Sequence, residues 1–415
     1  MKKLTRRDVI NAFQPAKEIT NPKRFAGRRK QFNRALEALL ADGAHICIYG
    51  QRGIGKSSFS RQIADVASGE TEILDALNLS EFKDEKFNFI TLRIACEDSV
   101  VDLEHLIQRS LTSSEGFAKW TKSEISKKII QDARDFSLVP GGIGAKTHHH
   151  EVTEVIPTKL SLIESFIEVV KDAQKQSSDG ILFLIDEFDR IKDPSGLASL
   201  LKALAGVNLK VMLVGVADNL KDLVAEHESL QRQMSEGAIP LPPMEDSEVI
   251  EILNKAVNSL DNRISISEDV KIKIAQLCKG QPYLAHLFGK YSLLDAFRSG
   301  TSEVNINHLD NALSSIATEG HEVQLEERYR RAVASSAQRE TVLRAFAAIN
   351  RDKIHNSEAY ELCPNIDQPG VYLGHLRQDK YGAELIDREN RYHEFKDALF
   401  KAYINATPRR FNSSS

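Results

Sequence analysis

Apolar residues recur at helical spacing over 31–40, then close into a short continuous run at 44–49 that ends in a glycine-rich turn. The run predicts a strand, and the periodicity of 57–67 predicts a helix directly after it. Residues 87–95 alternate apolar and polar, as a second strand does, and 101–111 return to helical spacing. Further on, 159–174 reads as a helix, 181–185 as a strand, 197–205 as a helix and 209–216 as another strand. Strands apolar on both faces, alternating with helices, predict an α/β fold built on a parallel, helix-covered sheet. The expected span of this base domain is 31–243. It is interrupted at about 136–158, where Gly141, Gly142, Gly144 and His148, His149 and His150 lie between Pro140 and Pro157. That composition predicts a loop or hairpin insertion.

After Pro242 and Pro243 the pattern changes. Residues 246–259, 267–278, 283–297 and 306–317 all read as helices with no strand between them, so 244–321 is expected to be a small all-α domain. A third unit follows over 322–415, with helices at 339–349, 356–363 and 369–379, a hairpin-like 382–393 and a helix at 394–404. Three helices followed by a two-stranded wing predict a winged-helix-like domain.

A chain of 415 residues is too long for one ordinary core, which agrees with two to three domains. Its 41 % hydrophobic and 27 % charged residues are those of a globular protein. The four cysteines, Cys47, Cys96, Cys278 and Cys363, are far apart and have neither zinc nor redox spacing, so reduced thiols in the cytoplasm are expected. Residues 1–11 are charged and lack the apolar stretch of a secretory leader. The longest apolar runs are strand-sized, and no membrane span is expected. Charge is uneven. Residues 1–30 hold ten Lys or Arg against Asp8 and Glu18, a local charge of +8 in a chain whose net charge is −4. A basic arm of this kind either contacts phosphates or an acidic partner, or simply leads, solvated, into the first helix.

The chemistry is concentrated in two motifs. Gly50-Gln51-Arg52-Gly53-Ile54-Gly55-Lys56-Ser57, continued by Ser58, follows a predicted strand and opens a predicted helix. Glycines at this spacing let backbone N–H groups turn inward around phosphate oxygens, and the helix N-terminus adds a positive dipole. Lys56 supplies a point charge for the β- and γ-phosphates, and the Ser57 hydroxyl is a Mg²⁺ ligand. A chance glycine-rich turn would not come with both flanks correct. The second motif is the strand Ile181-Leu182-Phe183-Leu184-Ile185, which delivers Asp186 and Glu187 at its C-terminal end, where ligands bind in such sheets. Asp186 is suited to the Mg²⁺ shell and Glu187 to polarising an attacking water. Asp189 and Arg190 are read as structural. The glycine loop permits many nucleotide chemistries, but a water-activating Glu is not needed by small-molecule kinases and points to ATP hydrolysis. Consecutive side chains alternate on a strand, so His148 to His150 cannot all face one metal and are expected to form a polar loop. Trp120, Tyr372, Tyr392 and Phe395 are read as core residues and not as base-stacking platforms.

On these motifs the chain resembles the AAA+ ATPases of the origin-recognition type and the related STAND NTPases, over nearly its whole length. Phe25-Ala26-Gly27-Arg28-Arg29 looks like the segment that lines the adenine pocket. Ser229-Leu230-Gln231-Arg232, ahead of Ile239-Pro240-Leu241-Pro242-Pro243, looks like the stretch carrying the arginine finger. Residues 246–253 look like the first lid helix, Gly280-Gln281-Pro282 like the GxP element of the lid, and 392–403 like the end of the winged helix. The resemblance implies a homo-oligomer in which ATP and Mg²⁺ bind between base and lid, Arg232 acts on a neighbouring subunit's γ-phosphate and Pro282 packs the lid. There are two departures. Asp218 and Asn219 both stand where a water-orienting polar residue is expected. The turn 280–288 has no arginine, His286 being its nearest basic residue, which favours the STAND-like side, where nucleotide is a slow switch. The resemblance implies an ATP-hydrolysing switch controlling assembly or partner engagement. Its rival forms are a DNA-binding initiator or loader, and a sensor or scaffold in stress or phage defence with an effector protein. The third unit is nearly neutral, with 15 Lys or Arg against 14 Asp or Glu. Its candidate recognition helix offers His375 and Arg377 beside Asp379. The two DNA routes left open are this helix with its wing and the basic N-terminal arm.

Overall fold

The computed structural model describes residues 4–121, 159–224, 228–318, 323–349, 353–396, 398–407 and 409–411. The insertion expected at about 136–158, with its histidine run, lies outside the described residues. Two compact units emerge. One joins Met1–Lys17 to Pro243–Ser415, and the other is Glu18–Pro242.

The basic N-terminal stretch therefore does not behave as one arm, since it divides at Lys17. Its first part forms α1 (Arg6–Ala12), opened by a reciprocal cap between Thr5 and Asp8. Val9, Ala12 and Phe13 are buried. The Phe13 ring packs on Gly289, where a Cβ would stand 2.5 Å from its Cζ, and meets His286 edge-on with centroids 5.9 Å apart. A glycine and an apolar face thus make the start of what read as either a contacting basic arm or a solvated leader part of a folded unit.

In the second unit α2 (Arg29–Leu40) precedes β1 (Ile46–Gly50), and α3 (Lys56–Ala67) follows it. Then come β2 (Ile90–Ala95), α4 (Leu103–Thr112), α5 (Lys159–Gln174), β3 (Ile181–Asp186), α6 (Leu197–Ala203), β4 (Leu209–Val216), α7 (Glu228–Ser235) and β5 (Gly237–Pro240). The sheet is parallel throughout, in the order β2-β3-β4-β1-β5. The expected α/β class is what the chain adopts. Strand alternation divides the core in two. Cys47, Phe183, Ile185, Val211 and Leu213 face one layer of helices, whereas Ile46, Ile48, Leu182, Leu184, Met212 and Val214 face the other. Every residue of β3 is buried, which explains why its sequence is apolar without alternation. Each of its five apolar side chains, Ile181 to Ile185, contributes about 1.5–3 kcal/mol. Strand β5 was not evident in the sequence. It is short, ends in Pro240, and approaches β1 so closely that a Cβ on Gly237 would lie 2.1 Å from the His45 carbonyl.

The remainder of the first unit opens with α8 (Asp246–Asn258), α9 (Glu268–Cys278), α10 (Pro282–Ser299) and α11 (Ile306–Thr318), close to the expected helices. Between them two-residue strands β6 (Ser265–Ile266) and β7 (Glu303–Val304) pair in parallel, a small addition to a domain expected to be all-α. The chain continues with α12 (Val323–Val333), α13 (Ala337–Ala348), β8 (Ile354–His355), α14 (Asn356–Glu361), α15 (Pro369–Leu376), β9 (Leu385–Arg388), β10 (Tyr392–Phe395) and α16 (Ala398–Ala406). The last three strands form an antiparallel sheet in the order β8-β10-β9. The final helix was expected from residue 394, but Tyr392–Phe395 is strand: Phe395 points inward at 2 % exposure while Tyr392, expected in the core, is 36 % exposed. All four cysteines are free and buried. Among the described residues no helix is long and apolar enough to cross a membrane.

Candidate functional site

The phosphate loop is shaped by backbone that side chains resist. Gly50, Gly53 and Gly55 have φ of 155°, 77° and 92°. A Cβ on Gly50 would also lie 2.6 Å from the Leu241 carbonyl, because Leu241 hydrogen-bonds to Tyr49 just past the end of β5. Gly55 opens α3 without a side-chain cap, so the first N–H groups of that helix remain available as anion donors. The amino group of Lys56 donates to its own loop, to the carbonyls of Gly50 at 3.0 Å and Gln51 at 2.9 Å. Burial lowers its pKa, while the carboxylates of Asp189 and Asp186 oppose that shift. Ile54 is buried, and Gln51 and Arg52 are exposed.

Arg28 supports the loop from behind. It adopts a left-handed φ of 65° and is only 4 % exposed. Its guanidinium donates to the Ile54 carbonyl at 3.1 Å and to the Pro242 carbonyl at 2.5 Å, tying the loop to the far end of the unit. Ser58 faces the opposite side, where its hydroxyl accepts from the Ile19 amide at 3.0 Å.

Asp186 ends β3 at 5 % exposure. One carboxylate oxygen accepts from the Glu187 amide at 2.9 Å and the other from Arg93 at 2.7 Å. Glu187 has φ of 54°, a strained conformation for a side chain of this kind, and its carboxylate pairs with Arg190 at 3.0 Å. Arg190 also donates to Asp98 at 3.1 Å. Asp189 accepts from the Val216 amide at 2.8 Å, latching the ends of β3 and β4 together. That approach needs Gly215, where a Cβ would lie 2.9 Å from the same carboxylate oxygen.

The loop, Asp186 and Glu187 thus share the C-terminal edge of one sheet. The other expected site residues are distributed differently. Asn219 caps the single helical turn Leu220–Leu223, accepting from the Asp222 amide at 3.0 Å and donating to its carboxylate at 2.7 Å. Asp218 beside it is exposed. Arg232 is exposed on α7 and forms no ion pair among the described residues. Pro282 belongs to the first unit, at the first position of α10 after Gly280, whose φ is 72°. A Cβ there would lie 2.4 Å from the Met244 carbonyl. Sequence reasoning missed Arg93 and Glu18 entirely. Their one signal was an arginine among the polar positions of an alternating strand.

A glycine loop between a strand and an uncapped helix, with a buried aspartate at the end of another strand of the same parallel sheet, defines a P-loop NTPase fold. The novel STAND NTPase 1 family matches residues 10–287, and the chain belongs to that family. The resemblance read from the motifs is borne out. Among solved structures, the chain is similar to a Walker-type ATPase of Pyrococcus abyssi (19 % identity, 94 % of this chain and 99 % of that one, TM-score 0.48). It is also similar to the ORC2 protein of Aeropyrum pernix (14 %, 97 % and 97 %, 0.47) and Cdc6p of Pyrobaculum aerophilum (15 %, 95 % and 96 %, 0.45). No curated protein matches the sequence.

Proposed function

We propose that the chain is a Mg²⁺-dependent ATPase that works as a slow, STAND-like switch. The carrying observation is the position of Lys56. Its amino group rests on two carbonyls of the glycine loop, at the uncapped start of α3, within the field of Asp186 and Asp189. On this reading Lys56 and the loop amides take the β- and γ-phosphates, and Glu187 draws a proton from the attacking water. The hard oxygen donors Ser57 and Asp186 suit Mg²⁺, which when bound neutralises charge on the phosphate oxygens. Asp218 orients the water. Arg232, exposed and without an ion pair among the described residues, acts on a neighbouring subunit, and Pro282 sets the first turn of a lid helix.

Lys56→Ala tests the reading. The side chain contributes no core packing, so the fold should survive, while binding of a fluorescent ATP analogue and phosphate release should be lost. Wild-type turnover in a folded variant would remove the whole assignment.

The helices and three-stranded sheet of residues 337–406 support a winged-helix reading of this end. Two observations favour a protein partner over duplex DNA there. Arg377 is paired with Asp387, and Arg388 with Glu394, so two of the cations that would meet phosphates are already engaged. Val371 and Ile386, on the same helix and wing, are 50 % and 36 % exposed. An effector protein or a second copy of the chain fits that surface. Salt-sensitive duplex binding lost on deletion of 322–415 would reverse the preference.

A further inference from the structure

Arg93 and Asp186 meet because of strand register. Ala95 lies opposite Asp186 in the parallel pairing of β2 and β3, so Arg93 lies opposite Leu184, on the same face and two residues back. With strands about 4.8 Å apart and a rise of about 3.3 Å per residue, such diagonal neighbours are about 8 Å apart between backbones, within reach of a long side chain. The guanidinium donates to one oxygen of Asp186 at 2.7 Å. Glu18 grips the same guanidinium, with a 2.8 Å bond from Nη1 to one carboxylate oxygen and a shorter one to the other from Nη2, the nitrogen that also donates to Asp186. Glu18 is held in turn. The next amide, Ile19, donates to Ser58, and the fully buried Gln62 donates to the carbonyls of Ile19 at 3.0 Å and Thr20 at 3.2 Å. The segment 18–20 is strapped across the helix that begins at the phosphate loop.

The charges decide what this arrangement does. Glu18 balances Arg93, so the contact with Asp186 mainly directs that carboxylate and neutralises it little. A carboxylate oxygen accepts about two hydrogen bonds. The Glu187 amide takes one site on one oxygen of Asp186, and Arg93 takes one on the other. The carboxylate plane is thereby fixed from two directions, and each oxygen keeps a free lone pair. We propose that Arg93 is the positioning residue of the Mg²⁺ ligand Asp186, and that Glu18 acts through Arg93. The proposal rests on the reading of Asp186 as that ligand.

The test reads metal binding and not turnover. Mn²⁺ is titrated, by electron paramagnetic resonance, into the full chain loaded with a non-hydrolysable ATP analogue. Loss of a residue that orients a metal ligand typically costs about 10–100-fold in metal affinity. Arg93→Met is expected to weaken Mn²⁺ by that much while leaving metal-free nucleotide binding near wild type. Arg93→Lys, which keeps one donor, should fall between. Glu18→Gln should weaken the metal less than Arg93→Met, and adding it to Arg93→Met should cost nothing further, because the two act in series. Unchanged Mn²⁺ affinity in Arg93→Met overturns the proposal. If that variant does not fold, unchanged affinity in both Arg93→Lys and Glu18→Gln overturns it. Asp186→Asn separates the two layers: a metal affinity insensitive to Asp186 removes the ligand assignment itself, whereas sensitivity to Asp186 alone removes only the role of Arg93.

Discussion

Arg190→Ala should raise ATP turnover, and the structure bounds the rise. Glu187 is assigned to the attacking water, yet its carboxylate is paired with Arg190 at 3.0 Å. Every turnover must then release Glu187 from that pair, and the energy of the pair lowers the fraction of competent enzyme. Glu187 is 49 % and Arg190 38 % exposed at the side chain, so the pair is screened by water. Exposed pairs are worth about 0.2–1 kcal/mol, which corresponds to a rise of about 1.4-fold to about 5-fold on removal. Asp98 shares Arg190, and the competition places the effect below the top of that range. The assay is steady-state phosphate release at saturating ATP and Mg²⁺. High salt should bring wild type toward the variant, because an exposed pair is screened while the buried Asp186 is little affected. Turnover falling to the level of Glu187→Gln would refute the reasoning and put Arg190 in the hydrolytic machinery. Unchanged turnover would show that the pair does not restrain Glu187.

Two further outcomes follow from other parts of the molecule. His45 precedes β1 and accepts from the Val211 amide, and burial, with Lys210 nearby, pushes its pKa down to about 4 from the ordinary 6.5. The unfolded chain binds the extra proton between those values, so stability falls as pH drops from about 6.5 towards about 4. Going from about pH 7 to about pH 5 should cost about 2 kcal/mol, read from urea midpoints, and His45→Gln should flatten that slope. If Arg232 works across a subunit interface, Glu187→Gln and Arg232→Ala should each abolish hydrolysis, and mixing them should restore part of it, since some mixed interfaces pair an intact Glu187 with an intact Arg232. Light scattering must show subunit exchange, and exchange without recovery would confine Arg232 to its own chain.

How much of this was legible in the chain differs by residue. β3 could be read because burial on both faces demands an unbroken apolar run of strand length, here ending in Asp186-Glu187. Gly50 to Ser57 could be read because turning amides toward phosphate needs positive φ, which glycine meets without strain. The final helix was expected from 394, inside the strand at 392–395, because Glu394 and Phe395 suit either state. Only pairing with His355 and Arg388 resolves it. Strand β5 stayed hidden because four residues ending in proline carry too little periodicity, and what makes them a strand is the neighbouring β1.

The sequence by itself determined the phosphate loop and the carboxylate pair, since each depends on local chemistry within about ten consecutive residues, and the parallel α/β class, through the alternation of strand and helix patterns along 31–243. Tertiary structure alone decided that β4 lies between the strand of the phosphate loop and the strand of Asp186. It also decided that α1 joins the unit formed by Pro243–Ser415, while Glu18, six residues after Ala12, belongs to the other unit. The same holds for the partners of Asp186. Arg93 lies 93 residues away in the chain and Glu18 75 residues further from Arg93, and nothing local to any of the three marks them as neighbours. A hydrogen bond of that kind is set by strand register and by the path of a strap over a helix, and both come into existence only when the sheet closes.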